Sequence, residues 1–384
     1  MSGGPLSGQA LEATTVRRSV PLSQPLIDER DEELVVEVLR SGRLSLGPTG
    51  PRFEALLARA VGAQHCAAVS SGTAGLHLCM RLAGVRPGDE VITSPYSFVA
   101  SANCALYEGA TPVFADIDPR TLNLDPAAVE AAVSERTRAI VAVDIYGYPC
   151  ELDELRAICE RHGLTLVEDA CEALGAEYKG APVGSHGHLA VWAFYPNKQI
   201  TTGEGGAVTT ASEEDWRLLV SLRNQGRADS GGWLEHARYG YNYRLDDLSA
   251  ALGIGQLEKL GEILGRRSEV AARYGELLHG VDVEPPLVDD DDHVRSWFVY
   301  VVKLPVGVDR ERVIAELEAR GVASARYLPS IHLQPYMRER FGFREGMLPV
   351  SEDASARTLA LPFHARLARG DQEYVVESLR AALA

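Results

Sequence analysis

The sequence lacks the features that define several common protein classes. Its six cysteines, at positions 66, 79, 104, 150, 159 and 171, form no Cys-x-x-Cys pair, which argues against a zinc module or a disulfide scaffold. No run of about 18 apolar residues occurs, so no membrane span is expected. The opening residues Met1–Gly4 do not begin the basic and then apolar pattern of a signal peptide. We therefore expect a cytoplasmic protein.

Positive charge is also scarce in this chain of 384 residues. Lys and Arg number 38 and Asp and Glu number 54, which gives a formal net charge of −16. Proteins that bind nucleic acid or anionic membranes in general need a basic face, so neither partner is expected. The apolar content of 46% supports a sizeable core.

Short apolar runs alternate with helical patterns from about Cys66 to Thr210. The run Ala139–Val143 predicts a strand that is buried on both faces, and Leu152–Cys159 carries an apolar stripe at helical spacing. The repetition predicts an α/β fold whose large domain has a mainly parallel central sheet flanked by helices. Further strands are predicted at 65–70, 89–93, 112–116 and 164–168, and helices at 73–82, 98–107 and 126–133.

The C-terminal part predicts a smaller α+β domain. The segment Gly280–Asp292 predicts an exposed loop, because its acidic run Asp289–Asp292 lacks the glycine and ligand spacing of a calcium loop. We divide the chain into an N-terminal extension (1–25), a large domain (26–265) and a small C-terminal domain (266–384). Predicted elements are helices at Leu245–Leu264, Arg310–Arg320 and Gln372–Leu383 and a strand at Trp297–Val302.

Three short segments carry residues that suggest chemistry. Ser70–Ala74 joins a strand to a helix start, whose N–H groups and dipole favour an anion, although a simple capped turn is the alternative. Val167–Ala170 places carboxylates at the carboxyl end of a strand, where parallel sheets bind ligands, or caps the following segment. Lys198 follows an apolar and aromatic stretch and is a candidate nucleophile, whereas most lone lysines are surface charges.

Together, these segments meet the requirements of pyridoxal phosphate (PLP). Its phosphate needs N–H donors, its pyridine nitrogen needs an acidic partner, and its aldehyde needs a lysine. The segment Gly203–Gly206 resembles half of a dinucleotide-binding fingerprint. It lacks the third glycine at the offset that the fingerprint requires, and no helix obviously follows it. P-loop, HExxH and GxSxG patterns are absent from the sequence.

Several further motifs follow in a characteristic order. They are Gly42–Pro48, Ser71–Thr73, Gly88–Ile92, Gly109–Phe114, Glu168–Ala170, Asn197–Lys198 with Thr202–Gly206, and Gly240–Leu245. In this order they resemble the DegT/DnrJ/EryC1/StrS family of PLP-dependent sugar aminotransferases, over nearly the whole chain from about Val20. The resemblance implies the aspartate aminotransferase fold (fold type I) and a homodimer with shared active sites.

The resemblance also implies roles for individual residues. Lys198 is the implied Schiff-base lysine and proton shuttle, and Asp169 is the implied partner of the pyridinium nitrogen. Implied cofactor contacts are Gly72, Thr73, Ala74, Phe98, Glu172 and Asn242, with Asn242 reaching the phosphate in the neighbouring subunit. Implied substrate contacts are the tyrosine of the Pro95–Tyr96 pair, Arg244, and His332, for which a surface histidine is the alternative.

Two positions depart from the family pattern. Ala193 stands where a phosphate-binding serine is common, so one hydrogen bond is lost or supplied elsewhere, for example by Asn197. Glu172 stands where glutamine or histidine donates to the cofactor's phenolic oxygen, and an ionised carboxylate cannot donate. Glu172 is therefore expected to be protonated, turned away or bridged by water.

The implied reaction is a ping-pong transfer through Lys198, from an amino acid such as glutamate to a nucleotide-linked keto sugar. Candidate residues for the sugar's diphosphate are Arg43, Lys179, Arg227 and Arg326. One alternative is a PLP-dependent sugar dehydratase, in which a histidine replaces the lysine. The other alternative is a regulatory protein that kept the fold without catalysis.

Overall fold

The computed structural model describes residues 18–228 and 235–384. Residues 1–17 of the predicted N-terminal extension lie outside this range. The strands are β1 (His65–Val69), β2 (Glu90–Thr93), β3 (Thr111–Phe114), β4 (Thr137–Val143), β5 (Thr165–Asp169), β6 (Glu177–Tyr178), β7 (Ala181–Pro182), β8 (Leu189–Ala193), β9 (Gly206–Thr210), β10 (His293–Val294), β11 (Tyr300–Lys303) and β12 (Thr358–Leu361).

The helices lie between these strands and after them. They are α1 (Glu29–Ser41), α2 (Thr49–Ala60), α3 (Gly72–Leu82), α4 (Ala100–Tyr107), α5 (Pro126–Ala132), α6 (Leu152–His162), α7 (Glu213–Arg223), α8 (Asp247–Glu258), α9 (Leu260–Leu277), α10 (Arg310–Ala319), α11 (Pro335–Phe341), α12 (Pro349–Arg357) and α13 (Arg369–Leu383).

A central sheet with the strand order β1-β9-β8-β5-β4-β2-β3 organises the large domain. The pairs β8–β5, β5–β4, β4–β2 and β2–β3 are parallel, whereas β9 is antiparallel to both of its neighbours. The predicted mainly parallel sheet is therefore confirmed. Its parallel strands end along one edge, at Val143, Asp169 and Ala193, where open α/β sheets bind ligands.

Helices cover both faces of this sheet. Alternate residues of β8 point to opposite sides, so Trp192 packs with α1, α2 and α8, while Val191 packs with α3, α4 and α7. This arrangement explains why consecutive residues of β4, rather than alternate ones, are apolar and buried.

The small domain has its own core around the antiparallel pair β11–β12 and the helices α9, α10 and α13. Val20 packs into this core and forms a parallel bridge with Val322, and Arg18 pairs with Asp371. The described end of the predicted extension therefore docks on the small domain. The predicted boundary at 265 and 266 falls within the continuous helix α9 rather than in a loop.

Two predicted elements of this region differ from the structure. The single helix predicted for Leu245–Leu264 is wrong: α8 and α9 meet at Lys259, which leaves helical geometry (φ −115°, ψ 18°) and pairs with Asp28 and Asp31. The strand predicted from Trp297 begins only at Tyr300. The carbonyls of Trp297 and Phe298 accept instead from the buried Arg267 guanidinium.

The acidic run at 289–292 forms the predicted loop. Asp289 accepts from the Arg295 N–H, and Asp290 accepts from the Tyr148 hydroxyl and the His293 N–H. No group of residues suited to a metal ion occurs in the described part of the chain. Across residues 18–228 and 235–384, no helix has the length and apolar character needed to cross a membrane.

Candidate active site

A cavity of about 630 Å³ opens at the carboxyl edge of the central sheet. It lies between the end of β5, the end of β8 and the start of α3, and a segment of the small domain closes one side. Its lining includes Ser71, Gly72, Thr73, Ser97, Phe98, Asp169, Cys171, Glu172, Ala193, Tyr195, Asn197, Lys198, Glu204 and Tyr327. The three segments singled out in the sequence therefore meet at one place.

Lys198 reaches this cavity from the turn that follows β8. The side chain is 14% exposed, and its Nζ lies 3.4 Å from Oε1 of Glu172 and 4.1 Å from the ring centre of Phe298. The Lys198 carbonyl accepts from the Arg267 guanidinium at 3.0 Å, which fixes the backbone beneath the side chain. A partly buried ammonium is thus held by one carboxylate and one aromatic face.

Asp169 ends β5 on the floor of the same cavity. It is 6% exposed, and its Oδ1 accepts a long hydrogen bond, 3.3 Å, from the Cys171 N–H. Burial raises the pKa of the Asp169 carboxyl, and the nearby Lys198 ammonium opposes that rise. A cation placed against Asp169 would stabilise its ionised form further, which is what a protonated ring nitrogen provides.

The start of α3 forms the third wall. Ser71 caps the helix by accepting from the Ala74 N–H at 3.1 Å, whereas the first-turn N–H groups of Gly72 and Thr73 have no partner within the helix. Ala74 does not line the cavity, so the structure leaves Gly72 and Thr73 as the donors for an anion.

Close packing explains the glycine at position 72. A Cβ there would lie 2.8 Å from Sγ of Cys171 and 2.9 Å from Cβ of Ala193, closer than such atoms approach. We expect Gly72→Ala to lower the free energy of unfolding by about 1–3 kcal/mol and to weaken PLP binding, because α3 must shift.

Denaturant unfolding and PLP titration would measure both effects. Gly261→Ala in α9 is the matched control, since a Cβ there meets no atom within 4 Å and is expected to cost nothing. Equal PLP affinity in Gly72→Ala and in the wild type would show that the start of α3 does not bind the phosphate.

The two departures from the family pattern both line the cavity. Ala193 lies beside Gly72, and the side chain of Asn197 donates to the Tyr327 hydroxyl at 3.3 Å, while its buried Oδ1 has no partner within the described residues. Glu172 is not turned away, because Oε2 accepts from the Tyr146 N–H at 2.8 Å and Oε1 faces Lys198.

Several predicted contacts lie elsewhere in the single chain. Tyr96 is fully buried and bonds the Tyr146 and Thr358 hydroxyls, so it does not line the cavity. His332 is also fully buried, on the short helix Ile331–Leu333, and pairs with Glu352 at 3.0 Å rather than lining the cavity. The fact that a residue is a tyrosine or a histidine does not by itself predict that its side chain is exposed.

The segment around Asn242 and Arg244 runs beside the cavity without lining it. The Tyr243 carbonyl accepts from the Ser70 N–H, and Arg244 donates to Asn224 at 2.9 Å. Burial lowers the pKa of the Arg244 guanidinium. Of the described residues that line the cavity, none is among the four proposed for the diphosphate, which are Arg43, Lys179, Arg227 and Arg326.

Sequence reasoning missed several residues of the lining. Tyr327, from the small domain, is distant in sequence from the other lining residues and belongs to no motif. Burial raises the pKa of its hydroxyl. Ser97 lies next to the predicted Phe98, and Cys171 lies between Asp169 and Glu172. Both could therefore have been predicted from their positions beside predicted site residues.

The residues present fit PLP. One cavity contains the four features that PLP requires: close packing at Gly72 that a Cβ would disturb, N–H donors at a helix start, a buried aspartate and a lysine. The exposed ring of Phe98, 64% accessible, provides an aromatic face for the cofactor ring.

Comparisons with known proteins show the family of this chain. The DegT/DnrJ/EryC1/StrS aminotransferase family matches residues 25–380. The chain is 39% identical over 376 residues to the Bacillus subtilis (strain 168) spore coat polysaccharide biosynthesis protein SpsC, covering 94% of this chain and 96% of that protein.

Solved structures of enzymes give the same result. Micromonospora echinospora CalS13, a sugar aminotransferase, is 33% identical with a TM-score of 0.86, over 94% of this chain and 99% of that one. Helicobacter pylori PseC, an aminotransferase involved in the biosynthesis of pseudoaminic acid, is 30% identical with a TM-score of 0.90, over 95% and 99%. The chain belongs to the DegT/DnrJ/EryC1/StrS aminotransferase family and is a PLP-dependent transaminase of fold type I.

Proposed function

We propose that this enzyme moves an amino group from glutamate to a nucleotide-linked keto sugar. The observation that carries the proposal is the meeting of Lys198, Asp169 and the start of α3 around one cavity. The similarity to CalS13, a sugar aminotransferase, and to SpsC, a polysaccharide biosynthesis protein, supports a sugar as the acceptor.

Each residue has a defined task in this proposal. Bound PLP supplies an aldehyde that reacts with amines and an electron sink for the reacting carbon. Nζ of Lys198 holds the cofactor at rest and, once free, accepts the proton from the α-carbon of the donor. The Asp169 carboxylate balances the positive charge of the ring nitrogen. Gly72 and Thr73 donate their N–H groups to the phosphate.

A second copy of the chain completes the site in this proposal. The cavity lining within the described residues includes Asp169, Glu172 and Glu204, with Lys198 as its cation, although cofactor and acceptor are both anionic. In this proposal Asn242 and Arg244, which do not line the cavity of their own chain, contact the site of a second copy. Phe98 and Tyr195, 64% and 52% exposed, offer apolar surface at the same rim.

The test is a panel of nucleotide-linked keto sugars with glutamate as the donor. We expect 2-oxoglutarate and an amino sugar to form in equal amounts with at least one acceptor. Release of 2-oxoglutarate without any amino sugar across the panel, or elimination of water from the sugar, would contradict the proposed acceptor or reaction. Sedimentation is expected to give twice the mass of the chain.

A further inference from the structure

We propose that the Glu172 carboxylate is the counter-charge that holds a proton on the nitrogen of Lys198 in the resting enzyme. This inference rests on the proposed function and assigns a role to a residue that does not follow the family pattern. Oε1 of Glu172 lies 3.4 Å from Nζ of Lys198, and both side chains are mostly buried.

The backbone holds the Glu172 carboxylate in an acceptor role. Its Oε2 accepts from the Tyr146 N–H at 2.8 Å, and Tyr146 has a left-handed backbone (φ 57°) that turns this N–H toward the carboxylate. The Glu172 carbonyl accepts from the Gln199 side chain at 2.5 Å. One carboxylate oxygen is therefore occupied, and the other is left to the lysine.

Tight packing keeps this arrangement in place. A Cβ on Gly147, whose φ is +80°, would lie 1.8 Å from the Ser296 carbonyl and 2.8 Å from the Glu172 carbonyl. The turn at 146–147 and the Glu172 backbone therefore have little freedom to separate. A residue fixed in this way keeps its charge at a constant place relative to Nζ.

The surroundings make Lys198 the counter-charge of Glu172. The titratable groups that face the Glu172 carboxylate are Asp169, Cys171, Lys198, Tyr96, Tyr146 and Tyr327. Among these, Lys198 is the cation, and the buried Arg267 lies beyond it on the Lys198 carbonyl. The tyrosine and cysteine groups have pKa values raised by burial and stay neutral at pH 7.

The ion pair favours positive charge on the Lys198 nitrogen, because the Glu172 carboxylate lies 3.4 Å away. Loss of the Glu172 charge removes this stabilisation, so the nitrogen is expected to give up its proton at a lower pH.

The test compares Glu172→Gln with the wild type after loading with PLP. Glutamine keeps an oxygen for the Tyr146 N–H but places a neutral amide against Nζ. The readout is the visible absorption band of lysine-bound PLP as a function of pH, which needs no turnover. We expect the midpoint of its pH conversion to fall by about 1 unit or more, because an opposite charge at this distance shifts protonation by about 1–3 units.

Controls separate this effect from a general change of charge. Glu204→Gln removes the same charge from the same cavity without touching Lys198, and its midpoint is expected to move by less than half as much. Glu172→Asp keeps the charge but withdraws it by one methylene, so its midpoint is expected between those of the wild type and Glu172→Gln. This second variant provides the test if the glutamine variant does not fold.

The outcomes distinguish the two proposals. A wild-type protein that forms no borohydride-reducible link with PLP overturns the proposed function and this inference with it. Normal binding with an unchanged midpoint in Glu172→Gln, or in Glu172→Asp where that variant is used, overturns only the role of Glu172. That result would show that Glu172 carries no charge that acts on the nitrogen of Lys198.

Discussion

Replacement of Lys198 by alanine is expected to abolish the borohydride-reducible link to PLP and to lower the transamination rate by roughly 10⁴-fold. The reason is that Nζ of Lys198 is the amine that the cavity presents, 14% exposed and held by Glu172 and Phe298. Single-turnover assays with glutamate and the spectrum of the PLP-loaded protein would measure both losses.

Lys179→Ala is the matched control for this substitution. Lys179 is a surface lysine that pairs with Asp153 at 2.7 Å outside the cavity, so its removal is expected to leave spectrum and rate unchanged. A Lys198→Ala protein that still forms the reducible link at the wild-type level would refute the assignment of Lys198.

Replacement of Asp169 by asparagine is expected to lower the rate by roughly 10²–10³-fold, the usual loss when a preorganised charge is removed from a buried site. The side chain has nearly the same shape, so the change isolates the charge. PLP is expected to bind more weakly, because its ring nitrogen loses the ionised partner. Equilibrium dialysis and stopped-flow half-reactions with glutamate would separate binding from rate.

Glu168→Gln provides the comparison for Asp169. Glu168 precedes it on β5 but faces the opposite side of the sheet, where it is bonded to the Gly184 N–H and to His188. Its substitution is expected to lower the free energy of unfolding and to leave PLP affinity close to that of the wild type. A rate in Asp169→Asn within about threefold of wild type would contradict the electrostatic role.

Much of the large domain follows from the sequence because strands such as β4 carry continuous apolar runs, which indicate burial on both faces. The run Ala139–Val143 and the stripe from Leu152 to Cys159 gave elements that the structure confirms, with bounds shifted by three residues or fewer. The break at Lys259 did not follow, because it depends on ion pairs with Asp28 and Asp31, which are far away in sequence.

The candidate site was predictable where chemistry and strand ends coincide. Asp169 and Gly72 lie at the carboxyl edge of the sheet, so topology alone places them together. Whether a residue lines the cavity also depends on how the small domain packs, which no local sequence pattern predicts. This applies to Tyr327, Tyr96 and His332. The contact between Glu172 and Lys198 depends on the turn at Tyr146, whose N–H binds the Glu172 carboxylate. The left-handed backbone of Tyr146 is not predictable from the sequence.

The central claim is that PLP binds to Lys198, and the chain is well suited to a direct test. It has lysines only at 179, 198, 259 and 303, and each one outside the cavity pairs with aspartate. PLP-loaded protein would be reduced with borohydride, digested and mapped by mass spectrometry. We expect one modified peptide, which contains Lys198, whereas a label on another lysine or no label at all would contradict the account.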